Sequence, residues 1–361
     1  MIVILSIFVK QIKEVRIYRI VQKSMIRKHK KRLLNISSKA WEHPADRAAL
    51  AALQQVPMLD SVLRFFLGST VEESLRLATL ASAVRVSERQ FPEVHFLLRE
   101  SCEILDIKRV PELYISQNPF LNAGAIGVQN PFIVLNSSLI PVLTKEELQA
   151  VIAHEIGHCI SGHVLYKTLL QLLIRISLQV ISLPFSGAVL AVIIAALREW
   201  DRKSELTADR AGLLVTQDPN VNYTLLMKMS GGNDVSQISV NEFFIQAAEY
   251  EKSDSLKKSM HKLFNTLSLS HPFPVIRLTA LKSWVDSGQY QNIIDGNYIR
   301  SDEITEEKIG DNFKKAGQSY KEDNANSQDP LSGIMNNAIE TAEDIAAKAK
   351  EKWDELLKRT K

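Results

Sequence analysis

The sequence predicts a mostly helical α+β fold, on three observations. Apolar residues recur three or four apart through most of residues 41–107, and again at Leu148, Val151, Ile152, Ile156, Cys159 and Ile160. That spacing places them on one face of a helix. Three short runs carry strand-forming residues, Glu112 to Ser116, Ala123 to Gly127 and Phe132 to Asn136, separated by Asn118-Pro119 and Asn130-Pro131; they predict one small β-sheet. Residues 176–197 carry no formal charge. With 361 residues, 45% hydrophobic and 24% charged, the chain is long enough to bury one large core and carry appendages.

From the N-terminus, an apolar stretch from Met1 to Val9 precedes a basic one holding Lys10, Lys13, Arg16, Arg19, Lys23 and Arg27. The apolar part is too short to span a bilayer, and a secretory signal would place its charges first. Residues 1–33 therefore read either as a segment lying on an anionic membrane surface or as an upstream extension, with Met25 as the working start. Residues 41–107 read as helices punctuated by Pro57 and Pro92, with a capping box at Thr70 to Glu73. A second capping box, Thr144 to Glu147, opens the helix that contains Ile152 and Ile156. Residues 168–198 read as an apolar helical hairpin turning near Leu183-Pro184-Phe185-Ser186-Gly187, either dipping into one leaflet or packed against protein. Residues 301–330 read as a polar linker. In 331–361, Ile334, Ala338, Ala342, Ile345, Ala349, Trp353 and Leu356 recur at helical spacing, which predicts an amphipathic helix that covers the cleft, binds a partner or floats.

The densest chemical signal is His154-Glu155-Ile156-Gly157-His158. Histidines four apart on a helix project from one face and can converge on one metal ion. The glutamate between them sits beside such an ion, where it can take a proton from water. The pattern is that of a zinc hydrolase. At about 100° per residue His163 falls roughly 160° from the ligand face, so it is not expected to be a ligand. An open catalytic zinc site needs a third protein ligand. Ser204-Glu205-Leu206-Thr207-Ala208-Asp209 supplies Glu205, with Asp209 on the same helix face to accept the second N–H of a ligating histidine. Ala208, Gly212 and Gly157 would let the two helices approach closely.

HEIGH, followed by SELTADRAG, preceded by LNAGAIG and followed by SHPFPVIRL, resembles the HtpX-like family of zinc metallopeptidases, which includes the CAAX prenyl endopeptidases and the mitochondrial Oma-type proteases. The resemblance covers roughly residues 110–285. It implies a zincin-like catalytic core within a metallopeptidase domain at 34–300, with the small sheet over the HExxH helix and the apolar hairpin inserted between the zinc-ligand helices. By the same resemblance His154, His158 and Glu205 bind one zinc ion per chain and Glu155 is the general base. His271, before Pro272, stabilises the oxyanion or holds the resting metal; a turn histidine is the alternative. Arg277 pairs with Asp209 or a substrate carbonyl. Asn122 and Ala123 resemble the start of the edge strand on which related peptidases hold substrate.

The expected activity is hydrolysis of peptide bonds in protein or peptide substrates, in membrane-associated quality control or processing. The alternative is a zinc-stabilised or latent chaperone-like protein that holds unfolded chains without cutting. A prenyl-protein processing protease would need several spans to enclose its chamber, and this chain lacks them. One complete membrane pass through 176–197 would put Glu205 across the bilayer from His154 and His158, which excludes a single span if the three share an ion. Membrane contact is expected through 168–198 and the basic N-terminus, at an inner or plasma membrane with the catalytic domain on the cytoplasmic side; a cytoplasmic location is the alternative. Net charge of +3 and the absence of a recognisable binding motif argue against nucleic acid. The two cysteines, Cys102 and Cys159, do not make a disulfide framework, and a reducing compartment fits. Oligomerisation is left open.

Overall fold

The computed structural model describes residues 30–303, apart from 57, 67–68, 178–186, 253–270 and 272–273. The elements that follow belong to one compact unit, which begins at Leu33. Helices α1 (Pro44–Leu53), α2 (Leu59–Phe66), α3 (Ser69–Ser82) and α4 (Pro92–Ile104) come before most of the sheet. After it come α5 (Leu139–Val142), α6 (Lys145–Ile160), α7 (His163–Ser177), α8 (Gly187–Thr216), α9 (Pro219–Gly231), α10 (Val240–Lys252), α11 (Pro274–Asp286) and α12 (Gln289–Ile294). The strands are β1 (Val84–Arg85), β2 (Leu113–Ser116), β3 (Ala123–Ile126) and β4 (Phe132–Asn136). The fold is thus mostly helical with one small mixed sheet.

The sheet order is β1-β2-β4-β3, with β2 and β4 parallel and the other two pairs antiparallel. The three strands read from the sequence are present within a residue of their expected bounds; the two-residue β1 was not anticipated. β3 lies at the edge. Asn136 donates its N–H to the Asn122 carbonyl at 3.0 Å, so Asn122, Gly124 and Ile126 bond inward. The alternation of an antiparallel ladder then turns the backbone groups of Ala123 and Ala125 to the free edge.

The β3–β4 turn is tied down from α3. Glu72 Oε2 accepts the N–H groups of Val128 and Gln129 at 3.2 and 2.7 Å, and Oε1 accepts that of Asn130 at 2.9 Å. Three amide donors on one carboxylate satisfy the backbone of a turn that has no ladder partners. The capping box expected at Thr70 is not at a helix start: α3 begins at Ser69, so Thr70 lies inside the first turn. Glu72, one residue before the expected Glu73, does the anchoring.

One core lies between the sheet, α4 and α6, with Leu97, Leu113, Ile133, Leu135, Ile152 and Ile156 buried together. A second lies among α1, α2, α7 and α8, with Leu53, Val62, Leu170, Leu197 and Trp200 buried. The arms of the expected apolar hairpin correspond to α7 and the start of α8. Its turn, 178–186, lies outside the described residues, as do 1–29, most of the expected linker and the expected C-terminal helix. No helix among the described residues is long and apolar enough to cross a membrane.

α6 starts as the sequence predicts. Thr144 Oγ1 accepts the Glu147 N–H at 3.2 Å and Glu147 Oε2 accepts the Thr144 N–H at 2.9 Å, the reciprocal pair of a capping box. α6 ends at Ile160, and Gly162 at φ +75° turns the chain straight into α7. That left-handed conformation favours glycine. Along its length α6 packs against α8. A Cβ on Gly157 would lie 2.7 Å from Ala211 Cβ and 3.3 Å from Ala208 Cα, so the glycine sets how near the two helices come.

Two outcomes follow. Gly157→Val should destabilise the protein by about 1–3 kcal/mol through overpacking, read as a lower denaturant midpoint; an unchanged midpoint would contradict this close contact. Glu72→Ala should speed hydrogen exchange at the Val128, Gln129 and Asn130 amides while leaving those of α6 unchanged.

Candidate metal centre

The α6–α8 contact brings three ligand-type side chains to one point. His154 Nε2 and His158 Nε2 lie 3.2 Å apart. Glu205 Oε2 is 3.4 Å from His154 Nε2, and Glu205 Oε1 is 3.2 Å from His158 Nε2. All three residues are buried. A tetrahedral zinc ion with bonds of about 2.0–2.1 Å sets its ligand atoms about 3.3–3.4 Å apart. The distances here, 3.2–3.4 Å with each histidine facing a different oxygen of Glu205, are close to that spacing, and a donor set of two imidazoles and a carboxylate is one that zinc takes. Among the described residues, His154, His158 and Glu205 are the group of this kind that could hold a metal ion.

Around the triangle the ligand-type side chains have partners that fix their direction. His154 Nδ1 lies 3.0 Å from Asp209 Oδ1. Asp209 is gripped by Arg277, whose Nε donates to Oδ2 at 2.7 Å and Nη2 to Oδ1 at 2.5 Å. Arg277 Nη1 also lies 3.3 Å from Glu205 Oε2. Of the two roles expected for Arg277, the structure shows the pairing with Asp209. His271 Nδ1 is 2.7 Å from Glu205 Oε2, and its Nε2 is 3.0 Å from the Ala123 carbonyl oxygen. His271 thus links the metal-site glutamate to the free edge of β3. Glu155 is 1% exposed. Its Oε2 makes no hydrogen bond to the protein, and its Oε1 lies 4.0 Å from His271 Nε2.

The charges shape the ligand set. Burial acts to raise the Glu205 carboxyl, but His271, Lys167 and Arg277 around it hold it well below the usual carboxylate range. Asp209 is likewise held low, burial being outweighed by Arg277. Burial pushes His158 well below its ordinary value, and the Lys167 ammonium adds to this; the ring stays neutral, as a metal ligand must. His154 differs. Burial lowers it, yet the Glu205 and Asp209 carboxylates bring it up to about 9, so in the metal-free site it holds a proton that an ion must displace. Burial lifts both thiols, Cys102 to about 12 and Cys159 further, and neither forms a disulfide.

A pocket beside the triangle is lined by Asn122, Ala123, His154, Glu155, His271 and Arg277, all named from the sequence. Of its apolar wall, Leu139, Leu225, Leu226 and Met229 were not, and Val151 was named only as part of the helix's apolar stripe. Sequence reading also missed Lys167, whose Nζ donates to Glu205 Oε1 at 2.8 Å and to Asp201 Oδ1 at 2.6 Å. It missed any role for His163, whose Nδ1 lies 2.9 Å from His158 Nδ1. Projecting His163 on a continuous helix put it on the far side, but the break at Gly162 returns it to the site. A lysine at an apolar helix position was the one available signal for Lys167.

Residues 88–285 match the sequence profile of peptidase family M48. The chain is 37% identical over 260 residues to the plastoglobule-localized metallopeptidase 48, chloroplastic, of Arabidopsis thaliana, a match covering 70% of this chain and 74% of that protein. It is 28% identical over 191 residues to Protease HtpX homolog 2 of Methanosarcina acetivorans, covering 44% of this chain and 65% of the relative. With Protease HtpX homolog 1 of Streptomyces coelicolor it shares 26% identity over 221 residues, 54% of this chain and 72% of the relative. No solved structure gives a match. A profile match that spans both helices of the triangle, together with these relatives, shows that the chain belongs to peptidase family M48, a family of metallopeptidases.

Proposed function

We propose that this metallopeptidase is a zinc endopeptidase, with His154, His158 and Glu205 as ligands and Glu155 as general base. The observation that carries the reading is the pairing of a zinc-sized ligand triangle with a buried carboxylate oxygen, Glu155 Oε2, that has no hydrogen bond to the protein. A structural zinc site has no need of a base there. When bound, the ion supplies a Lewis acid that makes water more acidic and polarises a peptide carbonyl.

The protein's own groups do the rest. Glu155 Oε2 takes a proton from the attacking water and passes it to the leaving amine nitrogen. Asp209, itself locked by Arg277, holds the proton of His154 on Nδ1 so that Nε2 faces the ion. The extended substrate adds to the free edge of β3 through the backbone of Ala123 and Ala125, with Asn122 at the start of the strand. Pairing with the Ala123 carbonyl requires His271 Nε2 to give it up. The released N–H is then the donor available to the developing oxyanion. Leu139, Val151, Leu225, Leu226 and Met229 offer an apolar pocket to a substrate side chain.

Substrates are proteins or peptides, as for any endopeptidase. The alternative of a protein that holds unfolded chains without cutting is not supported by the family or its relatives. Membrane contact through 168–198 and the basic N-terminus is part of the proposal. It is supported by the uncharged run at 176–197, and a catalytic domain on the cytoplasmic side of an inner or plasma membrane fits it.

Glu155→Gln should retain stoichiometric zinc and lose cleavage of an unfolded protein such as casein by at least about 100-fold, the lower range for loss of a general base. A variant that cuts at the wild-type rate would sink the assignment. For insertion of 168–198, carbonate should leave the native protein on membranes and detergent should release it; full release by high salt alone would count against insertion.

A further inference from the structure

The second histidine of the triangle is reached from α1 by a chain of hydrogen-bonding groups. His158 Nδ1 lies 2.9 Å from His163 Nδ1, and His163 Nε2 lies 3.0 Å from Asp46 Oδ2. His158, His163 and Asp46 are all buried, Asp46 completely. Both oxygens of Asp46 are held by further donors: Trp200 Nε1 donates to Oδ1 at 3.1 Å, and Thr207 Oγ1 donates to Oδ2 at 2.6 Å. Thr207 Oγ1 in turn accepts the His43 N–H at 3.0 Å, which leaves its proton for Asp46.

The donor and acceptor rules allow only one arrangement of protons along this chain. A nitrogen that ligates a metal is bare, so a His158 that turns Nε2 to the ion carries its proton on Nδ1. That N–H donates to His163 Nδ1, which must be the bare nitrogen of its ring. The His163 proton then sits on Nε2 and donates to Asp46. An ionised carboxylate can only accept, so Asp46 is the terminus that enforces the whole direction. His154 reaches its carboxylate, Asp209, in one step, whereas His158 needs an interposed imidazole.

We propose that His163 and Asp46 are positioning residues that together set the tautomer and ring orientation of His158, and through it the affinity of the site for its metal. The proposal rests on the metal-site reading above. It makes α1, which contributes no ligand, part of the metal centre. A buried His–Asp pair that merely ties α1 to α7 would need neither a proton direction nor an acceptor at His163 Nδ1, and the two accounts separate by substitution. His163→Gln can accept from His158 with its amide oxygen and donate to Asp46 with its NH2. His163→Leu can do neither. Asp46→Asn must place its NH2 against the Trp200 N–H or against His163; the second choice reverses His163 and puts the His158 proton on the ligating nitrogen.

The test is zinc affinity of the full chain, measured by competition with a chromophoric chelator, alongside thermal unfolding of the metal-free proteins. His163→Leu and Asp46→Asn should bind zinc about 10–100-fold more weakly than wild type, the range for loss of an outer-shell partner, and His163→Gln should stay within about threefold because it keeps both hydrogen bonds. Wild-type affinity in the Leu and Asn variants, or a Gln variant as weak as the Leu one, would overturn the proposal. Should the Leu variant not fold, imidazole 15N shifts of the zinc-loaded wild type decide: a proton on His163 Nε2 supports the relay, and one on His163 Nδ1 removes it. His158→Ala serves as the control, since undiminished zinc binding there would bring down the metal-site reading itself.

Discussion

The close contact between α6 and α8 is the constraint on which the rest depends. Two ligand-type residues come from one helix and the third from the other, so the triangle exists only at one interhelical distance. Gly157 against Ala208 and Ala211 sets that distance, and small residues at such a crossing let backbones approach in a way larger ones forbid. The cap at Thr144 and the break at Gly162 then fix where along the crossing the histidines fall. Neither the sheet nor the second core supplies a ligand. The first core packs on both α6 and α8 and the second on α8, and β3 brings Ala123 to the wall of the pocket.

A second constraint is electrostatic. Five carboxylates lie buried at or behind the site, Asp46, Glu155, Asp201, Glu205 and Asp209. Buried charges are tolerated when each is paired and hydrogen-bonded. Lys167 spans Asp201 and Glu205, Arg277 spans Asp209 and Glu205, and Asp46 collects Trp200, Thr207 and His163. Glu155 stands apart, with one oxygen that no protein donor meets. The network satisfies the groups that position others and leaves exposed to chemistry the one group proposed to react.

What the sequence disclosed and what it hid divide by range. The capping box, the apolar stripe of α6, the paired histidines and the Glu205–Asp209 spacing are local patterns whose geometry follows from one helix, and the structure shows that helix. The three longer strands announced themselves between Asn-Pro punctuation; β1, at two residues, is too short to carry a period. Thr70 misled because a motif that caps helices can also sit within a first turn. His163 was placed too far away because a helical projection assumes an unbroken helix; one left-handed glycine brings it beside His158, although it is not one of the three ligand-type residues. Asp46 and Lys167 were illegible for another reason: their partners lie 154 and 38 residues away, and nothing local marks a buried charge whose counterpart arrives with a different element.

The clamp of Arg277 on Asp209 has a consequence in time. These two residues are 68 positions apart, and a ribosome adds about 5–20 residues per second. For several seconds after Asp209 emerges, the nascent chain holds its histidines and Glu205 but not the arginine that steadies them. The last element of the centre to be synthesised is therefore also one that sets its geometry, and until Arg277 has been made the nascent chain lacks a finished centre while its own newly made segments are unfolded and nearest to it.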